Sequence, residues 1–216
     1  MFDTGKRVSL EGVIAAAGFA SGDRFVVGSW SSGPLGPMAD VMWADPAGVR
    51  TLLAPSEEVA RFVGGVYEFD DVRVTDMQVR RSDAGLSVTA GPLEMVLESG
   101  SPHRLFALRP RWLARSPLWV RIEDLLLRPV IGALVLRGAA NVRSYVRTAS
   151  GVREWYRIDS YRPVVCGRAT LDGRDLGPLR PLEPAARFGV SEFPTRPALV
   201  ECSPLLEGAE RFLPSS

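Results

Sequence analysis

"MADVMWADPAGVRTLLA", residues 38–54, carries the reading on which the fold turns. Met38, Asp40 and Met42 fall on one face and Ala39, Val41 and Trp43 on the other, a period of two that marks a strand. "DPAG" (45–48) is a turn signal with proline at its second position, and "VRTLLA" returns as a second strand. The stretch therefore predicts a β-hairpin. Before it, "RFVVGSW" (24–30) is β-branched and aromatic, another strand. Between them lies "SSGPLGP" (31–37), with four glycines or prolines in five positions. It is no phosphate loop. Neither GxxxxGK[ST] nor GxGxxG is present, and two prolines remove amide donors that would cradle an anion. It reads as a stiff turn between strands, or as a rim element beside a barrel mouth.

Outward from the hairpin, "PSEEVARFVGGVYEF" (55–69) predicts a helix. Ser56 can cap it, Glu57 and Glu58 suit its positive end, Val59, Phe62 and Val63 form the apolar stripe, and Gly64-Gly65 stops it. "VIAAAGFA" (13–20) reads as a short helix capped by Ser9. Strand patterns follow at 71–81, 86–91 and 93–100. Residues 101–136 read as an irregular and helical crossover, too apolar to float free as a linker. A hairpin around 149–151 comes next, then a separate strand (164–171) closed by Asp172-Gly173. The proline-rich last 40 residues read as an extended, loop-rich tail. Strands arrive in neighbouring hairpins, not alternating with helices. The expectation is a single mainly β (α+β) domain over 1–216: an antiparallel β-barrel or strongly bent sheet with two or three packed helices.

Composition removes several chemistries. A net charge of +1 gives no global field for nucleic acid or membrane, so neither is an expected partner. Arg outnumbers Lys 25 to 1, and the single Lys6 sits near the N-terminus, poorly placed for Schiff-base catalysis. Cys166 and Cys202 lie 36 residues apart without a CxxC, and His103 is the sole histidine. No metal site is expected, and no cofactor. A histidine-dependent nucleophile would need His103, which sits in the loop-like "SGSPHRLF" with no GxSxG elbow in the chain. A disulfide between the cysteines is open but not implied. The apolar region 118–136 contains Arg121, Glu123, Asp124, Arg128 and Pro129 and is no membrane span. Nothing marks the chain as secreted, and a cytoplasmic location is expected.

The acid/base candidates are Asp40, an acid in an apolar strand, and Glu154. If Met38 and Met42 face inward, so does Asp40, and a buried carboxylate needs a partner or its pKa rises. Trp30 and Trp43 bracket the Gly/Pro run as ligand-binding candidates. "REWYRIDSYR" (153–162) adds Arg153, Trp155, Tyr156 and Arg157, whose forks and flat rings suit an anionic or aromatic ligand. Arg153, Trp155, Arg157 and Asp159 share one face of that strand, and Glu154, Tyr156, Ile158 and Ser160 the other. A two-sided strand with cross-strand ion pairs is the alternative. The basic, aromatic "HRLFALRPRWLAR" (103–115) reads as solvated surface or an anion contact.

The order of "PLGPMADVMW", "GVRTLLAP", "EEVARFVGGVYEFDDV", "REWYRIDSYRPV" and "ATLDGRDLGPLRPLEP" resembles a group of uncharacterised actinobacterial proteins. Their layout is similar to the acetoacetate decarboxylase-like β-barrel superfamily, in which a turn and strand resemble Gly33 to Val41. The resemblance implies a barrel fold. It does not bring the decarboxylase chemistry, because the lysine nucleophile and its neighbouring lysine are absent. The leading functional expectation is a β-barrel-like binding protein for a small, mostly apolar or anionic molecule. The alternatives are an enzyme acting on a small carbonyl or carboxylate substrate by acid/base chemistry, and an interaction or scaffold domain using Trp112 and Trp119. A homo-oligomer stays open.

Overall fold

The computed structural model describes residues 7–103, 145–186, 188 and 195–214. Its strands are β1 (Arg7–Ser9), β2 (Glu11–Phe19), β3 (Arg24–Ser32), β4 (Met38–Ala44) and β5 (Arg50–Ala54), followed by helix α1 (Glu57–Val66). Then come β6 (Asp71–Val74), β7 (Met77–Ser82), β8 (Gly85–Ala90), β9 (Leu93–Ser99), β10 (Tyr145–Arg147), β11 (Arg153–Leu171), β12 (Arg174–Asp175), β13 (Leu179–Arg180) and β14 (Ala198–Glu207). All belong to one sheet, with the main order β6-β5-β4-β3-β2-β14-β11-β9-β8-β7. The two end strands, β6 and β7, are joined in the chain by Thr75 and Asp76 alone, so the sheet curls back on itself. The molecule is mostly β, a curled half-barrel.

The hairpin at 38–54 forms as read, with Trp43 opposite Thr51 and Val41 opposite Leu53. β5 and β6 pair in parallel. A parallel pair needs a crossover, and α1 supplies it, which places the helix against one face of the sheet. Ser56 caps α1 by accepting a hydrogen bond from Val59 N–H. Gly64-Gly65 does not end the helix, which runs to Val66. Gly65 instead admits a neighbour, since a Cβ there would sit 2.4 Å from the Phe212 ring. Between Gly33 and Gly36 the chain makes a tight turn, Gly36 N–H donating to Gly33 C=O at 3.1 Å with Gly36 at φ +78°.

Three expectations need correcting. "VIAAAGFA" is strand, not helix: it lies in β2, where Val13, Ala15, Ala17 and Phe19 enter one core and Ile14 and Ala16 another. A strand buried on both faces shows an unbroken apolar run and loses the alternation that would reveal it. The C-terminal region is not only a tail, because β14 pairs β2 on one side and β11 on the other. The third concerns helix number. Among the described residues there is one α-helix, with a 3-10 turn at Glu210–Phe212, not two or three helices. The helix-like 119–128 and most of the 101–136 crossover, with Trp112 and Trp119, lie outside the described residues. No helix among the described residues is long and apolar enough to cross a membrane.

The two strands expected at 153–171 are one, β11. Its first half pairs β14 and its second half β9, with irregularities between Ile158 and Ser160 and between Val164 and Cys166. Such irregularities bend a strand, and here they carry the sheet around its corner. The Asp172-Gly173 turn forms with both residues at positive φ (51° and 74°), joining β11 to β12.

The sheet separates two cores. Inside the curl, Val13, Phe25, Val27, Val41 and Leu53 meet Leu86, Val88, Leu93, Met95 and Leu97. On the other face, Ile14, Val26, Trp30, Met38, Met42 and Leu52 meet Val59, Phe62, Val63 and Val66 of α1, together with Leu182, Phe188 and Leu206.

Candidate functional site

The second core contains acids. Asp40 points from β4 toward α1 and is 2% exposed. Its Oδ1 accepts from Trp30 Nε1 at 3.1 Å. Gly28, opposite Asp40 in the β3–β4 register, makes this pair fit. A Cβ at Gly28 would lie 2.4 Å from Asp40 Oδ1 and 2.6 Å from Trp30 Nε1. Asp40 Oδ2 is buried with no hydrogen-bond partner among the described residues. Burial pushes the Asp40 carboxyl up to about 6, with the Trp30 hydrogen bond pulling the other way.

Glu154, on β11, is 1% exposed. Its Oε1 accepts from the Tyr67 hydroxyl at 2.5 Å, and the Tyr67 and Tyr156 hydroxyls are 3.1 Å apart. With Tyr67's proton committed to Glu154, Tyr156 donates to the Tyr67 oxygen. Glu154 Oε2 is buried and has no partner among the described residues. Burial raises this carboxyl, and the Tyr156 and Tyr67 hydroxyls beside it oppose the rise. Burial first, then the Glu154 charge, pushes both phenols well above their ordinary range, so they remain hydroxyls.

A cavity of about 20 Å³ lies against these groups. That is room for about one water molecule. Trp30, Asp40, Tyr67 and Tyr156 are on its wall beside Ile14, Val26, Met38, Met42, Phe62 and Leu206. No Arg, Lys or His lines it among the described residues. The Gly33–Gly36 turn sits beside it. A Cβ at Gly33 would come within 2.6 Å of Leu10 and 3.9 Å of Met38, both wall residues, and Leu35 packs on the same core. The cavity lies between sheet and helix, on the face of the sheet opposite the aliphatic and aromatic core inside the curl.

The structure brings Asp40, Trp30 and Tyr156 to one cavity and joins Glu154 to it through Tyr67. The other candidates are elsewhere. Trp43 faces the opposite core, stacked on Phe25 (centroids 6.3 Å apart), and donates to Asp23 at 2.8 Å. Arg153 faces out and pairs with Glu207 at 3.0 Å. Arg7 lies over the Trp155 ring at 6.0 Å, and Arg157 pairs with Asp159 at 3.1 Å. Tyr67 was not among the candidates; it is the C-cap of α1, extended in backbone, with its N–H donating to Val63 C=O. Gly28 also carried a signal, because a glycine inside a strand marks close approach.

Other reactive groups are quiet. Cys166 is exposed and Cys202 buried, both as free thiols, and burial pushes Cys202 up to about 12. His103 joins the fold through its backbone N–H, which donates to Tyr161 C=O at 2.9 Å. Among the described residues no three His, Cys, Asp or Glu side chains gather as a metal site. Buried Arg24 donates to Pro184 C=O at 2.8 Å and to Asp45 C=O, pinning the 45–48 turn to the 184 loop.

No family model matches the chain, and no curated protein matches it. Among solved structures, the acetoacetate decarboxylase from Legionella pneumophila subsp. pneumophila str. Philadelphia 1 is 9% identical, covering 95% of this chain and 87% of that one, with a TM-score of 0.42. A likeness this distant brings no chemistry to this chain. The resemblance to actinobacterial proteins has no counterpart in these comparisons.

Proposed function

We propose that the chain binds a small, mostly apolar molecule in the cavity between α1 and β2–β4, with Asp40 holding a hydrogen-bond-donating head group. The observation that carries this reading is Asp40 Oδ2, a buried acceptor without a partner among the described residues, on an otherwise largely apolar wall. An unpaired buried acceptor costs about 1–3 kcal/mol, so a ligand supplying a donor recovers that energy. Met38 and Met42 are flexible wall residues that can repack around a tail larger than the resting cavity. An anionic ligand fits poorly, because the buried Asp40 carboxyl is on the wall, Glu154 lies just behind Tyr67, and among the described residues no wall arginine offsets them.

A second reading has its own support. Asp40 at about 6, beside a tyrosine relay to Glu154, has the proton affinity that general acid/base catalysis near neutral pH uses. An enzyme on a small neutral carbonyl compound would use the same cavity.

Native mass spectrometry of protein purified from its own host, with thermal shifts across a metabolite panel, tests both. A co-purifying or stabilising small molecule whose effect is lost in Asp40→Asn is the expected result. Conversion of that molecule during incubation would favour the enzyme. No adduct and no shift across the panel would overturn the binding reading.

A further inference from the structure

The binding reading above, on which this inference rests, leaves the charge of the head group open. We propose that the cavity selects a primary ammonium group, so that its ligand is a small apolar amine. Hydrogen-bond accounting on the wall comes first. Trp30 Nε1 is committed to Asp40 Oδ1, the Tyr67 hydroxyl to Glu154, and the Tyr156 hydroxyl to Tyr67. The polar side-chain donors of the wall are therefore spent, while Asp40 Oδ2 retains its lone pairs. A ligand headed by a carbonyl, carboxylate or phosphate brings only acceptors to a site that already has too many. Such a mismatch rejects a ligand more strongly than any loss of apolar contact.

Charge separates the remaining donors. An ionised Asp40 is a buried negative charge with a single hydrogen bond and, among the described residues, no cation on the wall. An alcohol donates one proton and leaves that charge uncompensated. An ammonium donates up to three and neutralises it, the condition under which a buried carboxylate is tolerated. The aromatic wall of Trp30, Phe62, Tyr67 and Tyr156 adds ring surfaces that attract a cation. Donor count completes the selection: a quaternary ammonium brings charge but no N–H, and leaves Asp40 Oδ2 without a hydrogen bond.

Calorimetry and thermal shift on the full chain near neutral pH, with n-propylamine, n-propanol, propionate and tetramethylammonium, test this directly. The first three share a tail and differ in the head. Propylamine should bind and raise the melting temperature, with propanol weaker by about tenfold and the other two without effect. Asp40→Asn should weaken propylamine by about tenfold or more and leave propanol nearly unchanged. The wild-type ranking tests the inference even if the variant folds poorly. Propanol or propionate binding as well as propylamine would overturn the amine and leave the binding reading standing. So would a failure of all four probes, because the binding reading falls only with the host-purified adduct and the metabolite panel.

Discussion

Leu52 and Leu53 are neighbours on β5, both fully buried, and they enter different cores: Leu53 turns into the curl and Leu52 toward α1. Asp40 and Val41 divide in the same way on β4, with Asp40 toward the α1 side and Val41 in the curl. The curl side is packed with aliphatic and aromatic side chains. The α1 side combines similar residues with two buried carboxyls, two tyrosines and a cavity. The difference separates a face of apolar packing from one that also holds buried polar groups. Strand alternation lets one sheet carry both, because each face is built independently of the other.

Leu53→Ala should break this arrangement on the packed side. Removing a fully buried leucine costs its transfer energy plus a cavity, about 2–5 kcal/mol. Urea unfolding should show that loss, while propylamine affinity, measured where the variant is folded, should remain at the wild-type value. A parallel loss of affinity would show that the faces are coupled.

Asp40→Asn acts on the other side and is read through pH. An ordinary carboxyl at 3.8 in the unfolded chain is raised to about 6 by burial in the folded one, so the folded state holds the proton more tightly. That contribution is present in full below 3.8 and is lost as pH rises through about 6. The shift corresponds to about 3 kcal/mol. Tyr67 from the C-cap of α1 and Tyr156 from β11 are the other titratable groups on the same wall among the described residues, and both stay protonated throughout this range. Glu154, behind Tyr67, is raised in the same direction and remains in both proteins. The stability of wild type minus that of the Asn variant, from denaturation between about pH 4 and pH 8, should therefore fall by about 2 kcal/mol, the rest of the roughly 3 kcal/mol being lost below about pH 4. A flat difference would mean that Asp40 is neither desolvated nor unpaired.

The legible parts of the fold share a physical reason. The 38–54 hairpin has two strand-like runs with a clear DPAG turn between them, and α1 has a cap and a stripe, so local pattern and tertiary placement agree. β2 was illegible because burial on both faces erased its alternation. β14 was hidden by Pro204, which is accommodated in the strand opposite Tyr156 while its carbonyl accepts from Leu10 N–H. At the site, Asp40 could be found from its flanking methionines. Glu154 and Tyr156 could be placed on one face by counting along the strand. Their junction with Asp40 could not, since it runs through Tyr67, 87 residues from Glu154 in the chain.

The same counting separates Arg153 from Glu154 and gives the smallest effect. Arg153 is 46% exposed on the outer face of β11, paired with Glu207, which also receives Arg7 at 3.3 Å. An exposed pair of this kind contributes about 0–1 kcal/mol and is screened by salt. Arg153→Ala should lower stability by no more than that, and the difference should vanish in high salt while propylamine affinity holds. Because Arg7 still serves Glu207 in the variant, the loss should lie near the lower end of the range. A marked fall in amine affinity would place a working residue on the outer face and remove the division between the two sides of the sheet.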